Sequence, residues 1–239
     1  MASAYRKRRI IISFISLILF CYLIIANTPN ISTQAEQVVT ENTSVIKPTD
    51  NISSPAIKAL VTLLIKGRAP KTDYSRDQFG SSWNTTGGCD TRNIILNRDL
   101  QNVVVDDTCH VISGTLNDPY TGKIISFVRG SETSSAVQID HVVALGDAWQ
   151  KGAQQLTSEK RVELANDPLE LLAADGVSNQ QKSDGDAATW LPSNKLFRCQ
   201  YVARQIAVKQ KYNLWVTQAE YDAINNILQT CPDQQLPSA

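Results

Sequence analysis

The chain has two histidines, and one of them stands beside an acid in a strand-like apolar segment. Asp140 and His141 lie within residues 137–145, and Asn179 and Lys182 follow later in the chain, three positions apart. A neutral imidazole, with a pKa of about 6.5, can take a proton from water near neutral pH. A carboxylate and an amide oxygen can together hold a hard divalent cation. These residue types therefore suit the hydrolysis of a phosphate ester.

Placement on secondary structure decides whether these side chains can act together. Neighbours on a strand point to opposite faces, so Asp140 and His141 serve one ligand only if the strand ends or bends there. A second apolar strand is predicted over residues 169–173, and Asn179 and Lys182 would share one face of the short helix that follows. By itself an Asp-His pair is more often a hydrogen-bonded structural element than a site, so that interpretation stays open.

This order of strand, strand and helix resembles the His-Asn-His (HNH) nucleases, whose site is a ββα-metal unit. Over roughly residues 55–232 the chain is also similar to a narrower group, the exported HNH endonuclease family proteins of bacteria. That group is related to the nuclease part of GmrSD-type restriction enzymes. The matching stretches are GCDTRN (88–93), DPYTG (118–122), VQIDHVVALGDAW (137–149), ANDPL (165–169), NQQKSDGDAATWLP (179–192) and RCQYVARQIAVKQKY (198–212).

The resemblance implies an α+β fold in which a ββα-metal (HNH-type) core is elaborated with several helices and short antiparallel strands. It implies that Asp140 and Asn179 hold a divalent metal, Mg²⁺ or alternatively Mn²⁺, and that His141 is the general base. The implied activity is that of a metal-dependent endonuclease, which hydrolyses phosphodiester bonds of DNA, or alternatively RNA, outside the cytoplasmic membrane. Independently, a mixture of strands and helices without βαβ alternation indicates the α+β class.

One position departs from the family pattern. The family has an asparagine in the second strand, which braces the loop bearing the catalytic histidine, and this chain has Glu170. A carboxylate can accept the same hydrogen bond, so Glu170 is assigned to the catalytic set with His141, but it adds negative charge near a site that must receive phosphate. This departure supports a second hypothesis, a catalytically impaired surface module that binds through the same scaffold. Hydrolysis of a cell-envelope phosphodiester is a third.

Charge is balanced over the whole chain, with 23 Lys and Arg residues against 23 Asp and Glu residues. This balance excludes a protein that coats nucleic acid by bulk positive charge. Phosphate contacts must then come from local basic segments, and two are present, over residues 58–76 and 193–212. The side chains predicted to bind phosphate are Lys182, Arg198 and Arg204, although solvated helix faces would look the same in the sequence.

Four of the five cysteines lie beyond an apolar run at the N-terminus, and these are Cys89, Cys109, Cys199 and Cys231. An even number of cysteines in an exported domain favours disulfides. We expect nearest-neighbour pairing, because each pair then flanks one local unit. A zinc site is disfavoured, since the sequence has no C-x-x-C pair and few histidines.

The first 53 residues differ in character from the rest of the chain. Residues 1–9 form a basic end expected in the cytoplasm, and residues 10–26 are apolar, which predicts a transmembrane anchor or a cleaved signal peptide. The bulk of the chain is then exported, either anchored to the outer face of the membrane, its partner in that case, or secreted. Residues 27–53 read as a flexible stalk, 54–233 as the HNH-type nuclease domain and 234–239 as a tail. No obligate protein partner is visible.

Local signals place the remaining elements. Ser54 followed by a proline predicts a helix start, with an apolar face that runs on to Leu64. Residues 110–113 and 123–128 are candidate strands between turns. Further helices are predicted over residues 158–165, from a Ser193 cap to about Tyr212, and from a Thr217 cap to about Leu228.

Overall fold

The computed structural model describes residues 54–131 and 133–237. The segments predicted to be a basic end, an apolar anchor or signal peptide, and a stalk make up residues 1–53 and lie outside the described residues.

The first described helix, α1, spans Pro55–Leu60 and is capped by the Ser54 hydroxyl, as predicted. The helix is shorter than expected. Leu64, which the predicted apolar face includes, lies beyond the end of the helix and is 61% exposed. After α1 the chain becomes extended, and Ile65 forms a parallel bridge with Val216. Pairing with a distant segment therefore overrides the local helical pattern.

A hairpin and a second helix follow. Strands β1 (Thr85–Thr86) and β2 (Cys89–Asp90) are antiparallel, and the two glycines between them have the positive φ that a tight hairpin turn requires. Helix α2 spans Thr91–Asp99 and is capped by the Asp90 carboxylate, which accepts a hydrogen bond from Asn93 N at 2.7 Å. This helix is not predicted from the sequence, because its apolar residues are contiguous rather than helically spaced.

The first sheet has three antiparallel strands in the order β3, β4, β5, which span Leu100–Val105, Val111–Asn117 and Ile124–Val128. The second and third of these strands match the two predicted strands to within a few residues. Residues from this sheet, from α2 and from the sheet described next form the smaller of two apolar cores.

The second sheet carries the residues expected in the site. The elements involved are, in chain order, β6 (Val137–His141), α3 (Leu145–Gln150), α4 (Ser158–Asn166), β7 (Leu171–Asp175) and α5 (Gly176–Lys182). β6 and β7 are antiparallel, and His141 at the end of β6 lies opposite Leu171 at the start of β7. α5 begins directly after β7, so the predicted order of strand, strand and helix is present.

Helices α6 (Arg198–Lys211) and α7 (Gln218–Leu228) complete the fold. The Thr217 hydroxyl caps α7, as predicted, whereas the expected Ser193 cap is replaced by Asn194, which caps a short 3₁₀ turn before α6. Helices α1, α3, α4, α6 and α7 contribute to the larger apolar core. Helices combined with small antiparallel sheets confirm the predicted α+β class.

The prediction of a transmembrane helix, and of the membrane as a partner, is corrected by the structure. In residues 54–131 and 133–237 no helix is long and apolar enough to cross a membrane. The longest helix there, α6, has 14 residues, which is about 21 Å against the ~30 Å of a bilayer core. The apolar residues 10–26 that motivated the prediction lie outside the described residues.

Two disulfides link Cys89 to Cys109 and Cys199 to Cys231, which is the nearest-neighbour connectivity expected from the sequence. The first ties β2 to the connection between β3 and β4. The second ties the start of α6 to the chain just beyond α7. Each bridge therefore closes one local unit of the fold.

Candidate active site

His141 ends β6 with its imidazole fixed from two directions. Its Nε2 lies 2.9 Å from the carbonyl oxygen of Ala165, near the end of α4. A carbonyl can only accept, so Nε2 carries the proton and Nδ1 keeps its lone pair. The indole of Trp83 stacks on the ring, with centroids 5.7 Å apart and planes 7° from parallel. The free nitrogen of His141 is thus held in one orientation.

The imidazole of His141 is neutral near physiological pH. Burial of the ring is the largest of the effects that lower the pKa of His141 to about 3, and the positive charge of Arg76 is the second. Arg76 is exposed and forms no ion pair with any residue in the described part of the chain. A neutral base is therefore present at the end of β6, within the electrostatic influence of the Arg76 cation.

Replacing Trp83 tests the stacked arrangement without an activity assay. We expect Trp83→Ala to raise the pKa of His141 toward its ordinary value of about 6.5, because water then reaches one face of the ring. Trp83→Phe keeps an aromatic face and should leave that pKa near the wild-type value. Titration of the ring signals by NMR measures both effects, with His110 as internal control. An unchanged His141 titration in Trp83→Ala would contradict the role assigned to the stack.

Glu170 lies just before β7 and holds the segment that follows His141. Its main-chain oxygen accepts a hydrogen bond from Val142 N at 2.9 Å, and its Oε2 accepts one from Val143 N at 3.2 Å. The side chain is fully buried, and burial raises the pKa of Glu170 well above its ordinary value. Burial therefore favours the uncharged form of Glu170, which reduces the negative charge expected at this position while the loop is still braced.

Glu170 should make the stability of the protein depend on pH. Because its pKa is raised in the folded state, the folded chain keeps a proton that the unfolded chain loses above about pH 4.5. Its contribution is full below that pH and declines as pH rises through the folded-state pKa. Within this window we expect Glu170→Gln to gain about 1.4 kcal/mol per pH unit over the wild type.

Urea unfolding of the wild type and of Glu170→Gln at acidic and neutral pH measures this difference. Glu163→Gln is the matched control, because Glu163 is an exposed residue paired with Lys160 at the surface. Parallel stability profiles for the wild type and Glu170→Gln would show that Glu170 is ionised in the folded protein.

Asp140 points to the opposite face of β6 and is engaged by two other side chains. Its Oδ1 lies 3.0 Å from Lys182 Nζ, and its Oδ2 accepts a hydrogen bond from the Tyr120 hydroxyl. Lys182 Nζ also donates to the main-chain oxygen of His141 at 2.8 Å. Asp140 is 4% exposed and the Lys182 side chain is fully buried. A buried ion pair therefore stands where the resemblance implies a metal ligand.

Asn179 does not complete a metal site with Asp140 in this arrangement. Its amide nitrogen donates to Gln138 Oε1 at 2.9 Å, on the face of β6 that Gln138 and Asp140 share. Within the described ranges no group of three or more His, Cys, Asp or Glu side chains could hold a metal ion. Because both oxygens of Asp140 already have partners, the residues present do not fit a divalent metal.

The three side chains predicted to bind phosphate have other partners. Lys182 is buried against Asp140, as described above. Arg198 Nε donates to the carbonyl of Pro192 at 2.8 Å, and Arg204 donates to the carbonyl of Leu169 at 3.1 Å. Each of these groups therefore contacts the chain itself, and phosphate binding by them stays a prediction.

Several other charged residues form a buried cluster instead of a basic surface. We call it the charge cluster, and it contains Arg68, Asp147, Lys151, Asp186, Lys209 and Glu220. Lys151 Nζ lies within 2.8 Å of three carboxylates, on Asp147, Asp186 and Glu220. Three cations face three anions, so the cluster is neutral. It joins α3, α6 and α7 to the segment that follows α5.

Trp83 and Arg76 are residues of the site that the sequence does not single out. Arg76 belongs to a basic segment noted above, but its place beside His141 depends on how the chain folds. Trp83 lies in a turn-rich region with no periodic pattern. Tyr120, the hydroxyl partner of Asp140, is likewise part of a turn motif in the sequence.

Fold and site together define an α+β protein in which a ββα unit presents a neutral histidine at a strand end. Residues 90–227 match the family model described as the C-terminal domain of GmrSD restriction endonucleases. The match covers more than half of the chain, so the protein belongs to this family.

A fungal protein from Arthroderma benhamiae, described as an uncharacterized secreted protein, is similar to the chain over much of its length. The two are 37% identical over 182 residues, which is 75% of this chain and 86% of the relative. The resemblance to GmrSD-type enzymes is thus confirmed. The narrower assignment to a bacterial HNH group stays a prediction.

Proposed function

We propose that this protein is a nuclease-like phosphodiester hydrolase in which His141 acts as the general base. The observation that supports this most directly is the anchored imidazole, with its proton on Nε2 at Ala165 and its lone pair on Nδ1. Membership of a family named for restriction endonucleases supports the reaction class. With its pKa lowered to about 3, the imidazole is unprotonated at neutral pH and Nδ1 can accept a proton, although a general base is strongest when its pKa lies near the working pH.

The neighbouring residues have distinct parts in this proposal. His141 Nδ1 takes a proton from the attacking water, and Ala165 and Trp83 keep the ring in place. Arg76 contributes positive charge beside His141, where a phosphate group gains negative charge during attack. Glu170 holds the loop after His141 without adding charge. No step is assigned to Asp140 or Asn179, since the arrangement around Asp140 does not fit the Mg²⁺ or Mn²⁺ that the resemblance implies.

Nucleic acid is the proposed substrate, with DNA favoured and RNA as the alternative. The family description concerns restriction endonucleases, which supports internal cleavage of DNA. No base-reading element is apparent in the described residues, so we expect little sequence preference. Export is supported by the two disulfides and by the secreted relative.

Plasmid nicking tests the proposal. Purified full-length protein is incubated with supercoiled plasmid in Mg²⁺, in Mn²⁺ and in chelator, and open-circular product is quantified. We expect conversion in at least one of the three conditions and its loss in His141→Ala. Equal product from the wild type, His141→Ala and a blank in every condition would refute hydrolysis.

A second candidate function is a binding module without turnover. The closed arrangement of Asp140, Lys182 and Tyr120 favours it, because it leaves the expected metal ligand unavailable. Retained nucleic-acid binding by a protein that is inert in the plasmid assay, measured by fluorescence anisotropy at low salt, would select this function over hydrolysis.

A further inference from the structure

The ammonium of Lys182 contacts groups that would otherwise suit a divalent cation. It lies 3.0 Å from Asp140 Oδ1 and 2.8 Å from the main-chain oxygen of His141. A carboxylate oxygen and a carbonyl oxygen beside each other are hard donors of the kind that Mg²⁺ and Mn²⁺ prefer. Lys182 therefore occupies a position with the ligand chemistry of a small cation site.

Burial makes this ammonium necessary. Asp140 is 4% exposed, and its second oxygen accepts a hydrogen bond from the Tyr120 hydroxyl. An ionised carboxylate at such a depth is costly unless a cation and hydrogen bonds compensate it. The fold provides that cation from α5, one turn beyond Asn179. Each oxygen of the Asp140 carboxylate thus already has a partner from the chain itself.

We propose that, in the substrate-free protein, the Lys182 ammonium takes the place of a divalent cation at Asp140 and excludes Mg²⁺ and Mn²⁺ from that carboxylate. This concerns the strand end that carries His141, and it rests on the proposed function only in that Lys182 also holds the main-chain oxygen of that residue. A first consequence is that removal of divalent metal leaves the folded protein unchanged. A second is that loss of the lysine exposes a latent metal site.

Mn²⁺ binding, without nucleic acid, tests the proposal. Binding is followed by electron paramagnetic resonance of free Mn²⁺ and by the thermal midpoint of full-length protein. In the wild type we expect no binding that depends on Asp140, so Asp140→Asn should not change the titration. Lys182→Ala opens space beside Asp140 and removes the competing charge. We therefore expect this variant to bind Mn²⁺ about tenfold more tightly than the wild type, and its thermal midpoint to rise when Mn²⁺ is added. The added binding should vanish in Lys182→Ala/Asp140→Asn.

Controls separate this effect from simple loss of charge. Lys123→Ala removes one exposed lysine and should bind Mn²⁺ as the wild type does. If Lys182→Ala does not fold even with Mn²⁺, Lys182→Gln takes its place in the test. The glutamine side chain is shorter and neutral, and it keeps a hydrogen-bond donor for Asp140. Lys182→Gln must then gain the same Asp140-dependent Mn²⁺ binding.

Either of two results would overturn the proposal. One is Mn²⁺ binding by the wild type that Asp140→Asn abolishes, and the other is a folded Lys182 variant that binds no more tightly than the wild type. Neither result bears on plasmid nicking, which tests the hydrolase function separately. An inert wild type in the plasmid assay would in turn leave the Mn²⁺ results standing.

Discussion

His141→Ala is expected to lower the rate of plasmid nicking by roughly 10²- to 10⁴-fold, the usual contribution of a positioned general base. The variant loses the Nδ1 lone pair, and no other imidazole can replace it, since the second histidine is His110 in the connection between β3 and β4. His110 is paired with Asp106 at the surface. Initial rates of open-circular product formation, measured for both proteins in the same metal condition, give the ratio.

His110→Ala is the matched control for this prediction. It removes the same side chain from an exposed position, so its nicking rate should equal that of the wild type. Circular dichroism establishes that both variants are folded. If the nicking rate of His141→Ala lies within a factor of about two of the wild-type rate, His141 has no part in the mechanism. Such a loss is far smaller than the loss expected when a general base is removed.

The pH dependence of the wild type gives a further check on the same residue. With the pKa of His141 lowered to about 3, the imidazole is neutral above that pH and charged below it. Protonation of His141 should therefore not reduce the nicking rate between pH 8 and about pH 5. A fall in the nicking rate below about pH 6.5 that only His141→Ala removes would contradict this prediction. It would show that the His141 ring is more hydrated than its contacts indicate.

The second large effect is expected at the centre of the charge cluster. Lys151→Met should lower the free energy of unfolding by about 3–5 kcal/mol, because removal of one partner leaves buried carboxylates uncompensated. Asp147, Asp186 and Glu220 all contact the lysine, and none of these side chains is more than 2% exposed. Urea or thermal unfolding of purified protein measures the change.

Lys160→Met is the control for Lys151→Met. Lys160 pairs with Glu163 at the surface, where both side chains are more than 40% exposed, and such pairs contribute at most about 1 kcal/mol. We therefore expect its unfolding curve to stay close to the wild type. If both methionine variants are equally stable, Lys151 is not the centre of a cooperative cluster.

The ββα unit could be predicted from the sequence because each part carries a local signal. The Asp-His pair sits in an apolar strand, residues 169–173 form a second strand, and the Asn-x-x-Lys segment follows with helical spacing. The strand ends at His141, which the prediction required for Asp140 and His141 to serve one ligand, but the two side chains contact different partners. Hydrophobic periodicity and short-range order therefore suffice for this part of the fold.

The partners of individual charges could not be predicted in this way. Lys182 looks like a surface lysine on a polar helix, and only the packing of α5 against β6 brings it to Asp140, 42 positions earlier. Lys209 and Arg68 likewise belong to basic segments of the sequence, yet both meet acids from distant parts of the chain. Ion pairs of this separation leave no local pattern.

Glu170 shows how a departure from the family pattern depends on its surroundings. In the sequence it reads as a negative charge beside a phosphate site, whereas burial raises its pKa and makes it a neutral acceptor for Val143. The ionisation of a carboxyl group is set by the hydration it loses on folding. That loss depends on the whole core and cannot be predicted from residue type alone.

The stacked pair of Trp83 and His141 gives the protein an intrinsic optical signal. Indole emission responds to the charge and polarity of whatever lies against the ring, and here the ring lies against the proposed reacting group. Arrival of an oligonucleotide at His141 should therefore alter tryptophan fluorescence without any attached dye. Comparison of the wild type with Trp83→Phe would isolate this signal from that of the three other tryptophans.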